Sequence, residues 1–420
     1  MTLNSNHPAF SRLPKKLTIS FPIWGLYDTL GDSAAYRDLD RFVREHVQRG
    51  FNCIRLDDGA GLIHDLDGNF LGPVTIGNPF GRYSDVLRQM NCCGDGGKCD
   101  LMQRLIELCE NAKKYDVYLI LSSWYYLHTY WMLYDEPIND VLFSIEPHNR
   151  FMAFAKMLHY ILLELERRGL DDRIAFAEVF NEADGLFFIN GYGGNRLSEE
   201  ELDQFRQEHE AAIAMLQEKH PQILFAFDSY SPWSDPRQIP RNLQVYNFHN
   251  YFFWNIYRST VERMPEFSTG AVTEDKVRQS RAGRRAAADD WYTRTMVYNN
   301  LDTSRLPEIE KLLENILQKE YDQYLDRLNE KLSMAANIRE NYPDIPMVCG
   351  EGVSYIGHKE LVWEEHSEIY WRLMEETILK YKEFGLWGTV IRTCCGPEDP
   401  CWNMCADKLL YLNDLFKGEG

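Results

Sequence analysis

The sequence predicts an α/β protein, a (β/α)8 barrel with long insertions after its second and sixth strands. Two observations carry that expectation. Short β-rich apolar runs alternate with amphipathic helical stretches from Leu17 onward, and the runs number eight. Near-continuous apolar strands are what a parallel sheet buried on both faces requires, and eight such strands suit a closed barrel. No Gly-x-Gly-x-x-Gly follows a strand, which argues against an open dinucleotide-binding sheet.

In chain order, strands are expected at 17–24, 51–57, 116–124, 173–181, 222–228, 243–250, 346–350 and 386–392. Helical patterns lie between them at 38–49, 101–115, 151–168, 198–219, 321–341, 364–384 and 406–416. Ser198 followed by Glu199, Glu200 and Glu201 reads as an N-cap with an acidic first turn, and Gly50 and Gly385 read as C-terminal stops. Two stretches exceed ordinary βα loops, about 58–100 and about 252–318. The first is rich in Gly, Pro and Asn. The second opens with aromatics and turns basic from Lys276 to Arg285. Loops of that length at a barrel's catalytic face shape a substrate cleft. With no repeat beyond the βα period, no low-complexity linker and no second core, residues 1–420 read as one catalytic domain.

Composition narrows the function. With 45% apolar and 26% charged residues the chain is of the soluble globular type. A formal charge of -19 repels nucleic acid phosphates and anionic lipid alike, so neither is an expected partner. The N-terminal residues lack a basic stretch followed by an apolar one, and no run approaches the roughly 18 apolar residues of a membrane span, so the expected location is the cytoplasm. The ten cysteines, including Cys92, Cys93 and Cys99 and the group Cys394, Cys395, Cys401 and Cys405, lack paired Cys-x-x-Cys spacing. They read as thiols of a reducing compartment, and no metal or organic cofactor is expected.

Glu182 closes the run that starts at Ile174, and Glu351 closes the run that starts at Pro346. Carboxylates just past the C-terminal ends of barrel strands four and seven face each other across the mouth, the minimum apparatus for breaking a glycosidic bond. Carboxyls about 5–5.5 Å apart let one attack the anomeric carbon while the other protonates the leaving oxygen; a gap of about 6.5–9.5 Å admits a water and inverts. Sequence leaves both open. Asn181 supplies a neutral amide beside Glu182, and Gly350 and Gly352 permit a tight turn around Glu351. Arg55, near the end of strand two, is placed to keep Glu351 ionised, whereas Glu182 needs apolar surroundings to start protonated. At the end of strand six, His249 and Tyr251 share a face by period two: the tyrosine hydroxyl suits Glu351, and the imidazole suits Glu182 or a sugar hydroxyl.

Asn-Glu ending strand four, His-x-Tyr ending strand six, Glu ending strand seven and Arg in strand two together resemble glycoside hydrolase clan A, most of all its family 5 or cellulase-like members. The resemblance spans about Leu17 to Phe416 as an ordered set of strand ends. It implies a retaining double displacement with Glu351 as nucleophile and Glu182 as acid/base, supported by Arg55, Asn181, His249 and Tyr251. Two positions depart from the family pattern. Where a histidine commonly ends strand three, this chain has Ser122-Ser123-Trp124-Tyr125-Tyr126, with His128 following; after strand eight, where a tryptophan usually forms the floor under the cleaved sugar, comes a Cys-rich run reaching Trp402. Glu398 and Asp399 read as loop acids there.

Sugar rings present apolar C–H faces that stack on aromatic rings. Among the aromatics that could reach the mouth, Trp124, Trp254 and Trp402 are the expected contacts. The sequence therefore reads as a retaining β-glycosidase acting on an oligo- or polysaccharide. The alternative is a cellulase-like barrel that binds sugar without turnover. A metal-assisted barrel hydrolase would need clustered strand-end histidines that the chain lacks.

Overall fold

The structure, a computed structural model, describes residues 7–22, 26–27, 35–77, 83, 97–124, 133–184, 197–232, 235–251, 266–280, 290–352, 357–393 and 395–418. The strands are β1 (Leu17–Ser20), β2 (Cys53–Asp57), β3 (Val74–Ile76), β4 (Gly97–Cys99), β5 (Tyr118–Ser122), β6 (Ile174–Glu178), β7 (Phe225–Ser229), β8 (Val245–Asn250), β9 (Met347–Gly352) and β10 (Gly388–Val390). All but β3 and β4 pair in parallel in sequence order, and β10 closes on β1 through Leu17 opposite Gly388. Every residue of these eight strands is buried, as expected of a sheet with side chains filling its inside and helices covering its outside. All eight expected strands are present. β3 and β4 form an antiparallel ribbon, Val74 opposite Cys99, within the stretch that follows the second barrel strand.

The helices are α1 (Leu39–Gln48), α2 (Leu101–Tyr115), α3 (Glu136–Ser144), α4 (Arg150–Arg167), α5 (Glu199–Lys219), α6 (Glu274–Arg278), α7 (Asp290–Tyr298), α8 (Leu306–Asn341), α9 (Trp363–His366), α10 (Glu368–Phe384), α11 (Pro400–Met404) and α12 (Ala406–Lys417). Their ends follow capping chemistry. The Asp38 side chain accepts from the Arg41 amide, Ser198 and Glu201 form a reciprocal capping box, and Gly385 ends α10 in the left-handed conformation. One boundary differs from expectation: α8 begins at Leu306, not at 321. Ile309, Leu313, Ile316 and Leu317 repeat at helical spacing and are buried, each fully buried aliphatic side chain contributing roughly 1.5–3 kcal/mol, so the helix continues back into the stretch expected to be loop. Pro307, in its first turn, suits a helix start. No described helix is long and apolar enough to cross a membrane.

The β8–β9 pairing positions the site. Its register slips between Phe248 and His249, so Phe248 lies opposite Cys349 but His249 lies opposite Glu351, and Gly350 is skipped. Such a bulge re-aims the side chain that follows it. A Cβ on Gly350 would lie 2.4 Å from the Asn247 side-chain amide, so the missing side chain makes room for Asn247. Gly352, with φ +152° and the Asn250 carbonyl 2.6 Å from where a Cβ would be, also requires glycine. The expected tight turn at both glycines is thus a bulge at one and a close backbone approach at the other.

Candidate active site

Arg55 is the hub. It lies fully buried within the barrel, its guanidinium 4.8 Å from the Trp124 ring centre and 4.9 Å from that of Phe21. Its Nη1 donates to Glu351 Oε1 at 2.7 Å; its Nη2 donates to Asp228 Oδ2 at 2.6 Å, to Glu178 Oε2 at 2.9 Å and to Asn181 Oδ1 at 2.9 Å. Burial opposes the guanidinium's charge, but the carboxylates of Glu178, Asp228 and Glu351 outweigh it and hold Arg55 firmly cationic.

Glu351 receives a second hydrogen bond from the Tyr251 hydroxyl, 2.5 Å from Oε2, so both its oxygens are fixed. Burial and the adjacent Glu351 and Glu182 charges push the Tyr251 hydroxyl well above its usual range, so it stays a donor.

Glu182 follows β6 by four residues and adopts φ +53°, one of two described non-glycine residues with positive φ. That conformation costs an L-residue roughly 1–2 kcal/mol and is concentrated at sites that need a side chain aimed against local preference. Its Oε1 lies 2.8 Å from His249 Nδ1. Burial raises the Glu182 carboxyl, and the His249 contact partly offsets the rise. His249 Nε2 makes ion-pair contacts of 3.0 Å to Asp228 Oδ1 and 3.5 Å to Glu351 Oε1. Although burial alone would discharge the imidazole, Asp228 and Glu351 raise it well above its ordinary value.

A carboxylate oxygen of Glu182, one of Glu351 and a ring nitrogen of His249 all lie within 4.8 Å of one another. One oxygen of each glutamate therefore faces the same small space. The same trio has the donor types of a metal site, and an ion there would displace the proton that the surrounding carboxylates favour on the imidazole.

Six of the expected residues, Glu182, Glu351, Arg55, Asn181, His249 and Tyr251, therefore meet. Trp124 is present too, but 2% exposed and set against Arg55, so it backs the hub instead of offering an open ring. Trp254 lies outside the described residues. Trp402 is a correction: in α11 it is fully buried, stacked parallel to Phe51 at 6.0 Å, beside Phe42, under the Arg49 guanidinium and bonded to Glu45. Ten residues past the last strand the chain is back among the helices, where an indole is core. Asp399 is likewise no loop acid: it caps α11 and pairs with Arg392. Glu398 accepts from the Tyr36 hydroxyl. Among the described residues, Cys53, Cys99, Cys109, Cys349, Cys395, Cys401 and Cys405 are buried thiols.

Sequence reasoning missed three members. Glu178 is fully buried, bonded to Arg55 and, through Oε1, to the Asn247 amide at 2.6 Å; burial lifts its carboxyl to about 7. Asp228 is fully buried between Arg55 and His249. Asn247 completes the set. The signal was a charged or amide residue inside an otherwise apolar buried strand, at an inward position.

No family model matches the sequence, and no curated protein matches it. Solved structures do. A candidate glycoside hydrolase from Parabacteroides distasonis aligns over 96% of this chain and 93% of its own at 18% identity and a TM-score of 0.67. The fold of this chain is the barrel fold of that structure. A glycoside hydrolase family 5 enzyme from Prevotella bryantii B14 aligns over 98% and 100% at 13% identity and TM-score 0.50. A cellulose synthase subunit Z from Clostridioides difficile aligns over 95% and 99% at 13% and 0.50. The shared architecture extends across nearly the whole chain.

Proposed function

We propose that the protein is a retaining β-glycoside hydrolase that cleaves an oligo- or polysaccharide by double displacement, with the whole chain serving as one catalytic barrel. The observation that carries this reading is the pairing of two unlike carboxyls, with an oxygen of each within 4.8 Å of an oxygen of the other. Glu351 is held as a carboxylate acceptor by Arg55 and Tyr251, and Glu182 is raised by burial toward keeping its proton. In the first step a Glu351 oxygen bonds to the anomeric carbon as the glycosidic C–O bond breaks, and the Glu182 proton passes to the leaving oxygen. In the second, Glu182 as carboxylate takes a proton from water, whose oxygen displaces Glu351 and restores both side chains. The balance needs no metal or cofactor.

Hydrolysis of a panel of aryl β-glycosides and defined oligosaccharides tests the proposal. The expected results are turnover with retained anomeric configuration, loss of turnover in Glu351→Ala, and a rate about 10²–10⁴-fold lower in Glu182→Gln. Sugar binding without turnover in the unmutated protein would instead make it a sugar-binding barrel, and inverted product would exclude the double displacement.

A further inference from the structure

The strand-end resemblance in the sequence implies Arg55, His249 and Tyr251 as supports of the two glutamates, but it assigns nothing to barrel strand five. There, at an inward position of β7, stands Asp228, wholly buried. Its two oxygens divide between two cations: Oδ2 accepts from Arg55 Nη2 at 2.6 Å, and Oδ1 lies 3.0 Å from His249 Nε2. Each cation in turn contacts a different glutamate, Arg55 reaching Glu351 and His249 reaching Glu182. The backbone N–H of Glu182, at the residue with the left-handed φ, also favours the charged form of Asp228.

We propose that Asp228 is a positioning residue that joins the two halves of the site, holding His249 as an imidazolium whose Nδ1–H faces Glu182 while it anchors the guanidinium that faces Glu351. The inference rests on the reading of Glu182 and Glu351 as the hydrolytic pair.

The groups around His249 decide its charge. Asp228 from β7 and Glu351 from β9 contact Nε2, Glu182 contacts Nδ1, and the Tyr251 ring packs edge-on at 6.1 Å. Arg55 from β2 and Glu178 from β6 complete the shell through Asp228 and each other. With Glu178 lifted to about 7 by burial, a proton there leaves Asp228 and Glu351 balanced by Arg55 and His249. Glu182 then shares its cation, His249, with Asp228 and Glu351. When it gives its proton to the leaving oxygen, the carboxylate that forms already has an N–H 2.8 Å away. His249 keeps both its protons throughout; its charge stabilises one state of Glu182.

Removing the charge of Asp228 has a definite sign. When His249 and Glu182 together hold two protons instead of three, the parent protein leaves both on the imidazole and Glu182 is a carboxylate. In Asp228→Asn the imidazolium loses the nearer of its two Nε2 anions and keeps Glu351 at 3.5 Å, the imidazole gives one proton up, and Glu182 stays protonated. The acid therefore survives to higher pH, while the carboxylate needed in the second step is harder to reach.

Two measurements test this. In Asp228→Asn, kcat for an activated aryl β-glycoside should fall about 10- to 100-fold as the second step slows, with KM falling as glycosyl-enzyme accumulates, and the basic limb of kcat/KM for an oligosaccharide, whose leaving oxygen needs the Glu182 proton, should move up by about one pH unit. Asp228→Glu, which restores the charge, should return the limb toward its parent position. An unchanged or lowered limb in Asp228→Asn overturns the proposal. Independently of turnover, nitrogen NMR of the unmutated protein, with His249 assigned by its loss in His249→Asn, should show both ring nitrogens protonated from pH 6 to 8. A neutral ring in that range overturns the proposal even if Asp228 variants fail to fold. Absence of hydrolysis in the parent, with an imidazolium present, would count against the hydrolase reading alone.

Discussion

Arg55 and Arg392 are both buried, and each is paired with three carboxylates, yet the two groupings do different things. Arg392 meets Glu364 at 2.8 Å, Glu365 at 3.3 Å and Asp399 at 3.3 Å, all of them buried. Those acids stand at helix starts: Glu364 and Glu365 in the first turn of α9, and Asp399 as the N-cap of α11, accepting from the Cys401 amide at 2.8 Å. The ion cluster ties short helices to the end of the barrel. Around Arg55 the acids come from strands and from the strand-to-loop turn, and their remaining oxygens face a histidine, a tyrosine and each other. Equal numbers of acids make a clasp in one place and a candidate reaction centre in the other. The partners that can exchange protons, Glu182 and His249 among them, make the difference.

Leucine replacements expose that difference most strongly. Arg55→Leu should remove the cation under Glu351 and lower hydrolysis on the order of 10³-fold, whereas Arg392→Leu should leave the turnover of folded molecules near the parent value. Arg392→Leu should instead cost roughly 3–5 kcal/mol in urea unfolding, because three acids lose their buried counter-charge. Arg392→Leu protein that folds fully but does not turn over would erase the distinction. A comparable stability loss, about 3–5 kcal/mol, is expected for Trp402→Ala, with KM for an oligosaccharide unchanged. A tenfold rise in KM would restore Trp402 as a sugar platform. The smallest effect concerns Glu178. Its carboxyl is raised in the folded state to about 7, so between about pH 4.5 and 7 the native protein binds more protons than the unfolded chain, and this residue's contribution to stability declines as pH rises. Glu178→Gln should make the urea midpoint fall less across that window than it does in the parent, Asp184, also raised to about 7 by burial, being left in both; an identical pH dependence in the two proteins would show that Glu178 is ionised throughout.

Much of this was legible in the sequence because barrels write their periodicity plainly. Eight apolar runs recur between amphipathic helices, and residues at strand ends must gather at one mouth, so Arg55, Asn181, Glu182, His249, Tyr251 and Glu351 could be associated without coordinates. Glu178 and Asp228 were equally readable in principle. Each is an acid in a run otherwise fit for burial, but attention to strand ends passed over the inward positions before them. The start of α8 was lost because its helical spacing lies inside a stretch already assigned to loop. Trp402 was misplaced because sequence distance from a strand end does not say when the chain has turned back to the helix layer; Asp399-Pro400, a cap followed by a helix-starting proline, was the available sign. The Gly350 bulge has no signature in one sequence, since a glycine beside a glutamate reads as readily as a turn.

That bulge bears on how the site could be moved. Asn247 occupies the space a side chain at 350 would fill, and from there it holds Glu178, which in turn holds Arg55. Copying the two glutamates onto another eight-stranded scaffold would carry over the reacting atoms and leave behind what aims them. The smallest portable unit is the inward residues of the four neighbouring strands β6 to β9 in their slipped register and Arg55 from β2, separated from them by one strand of the barrel, together with one place where nothing is allowed to grow.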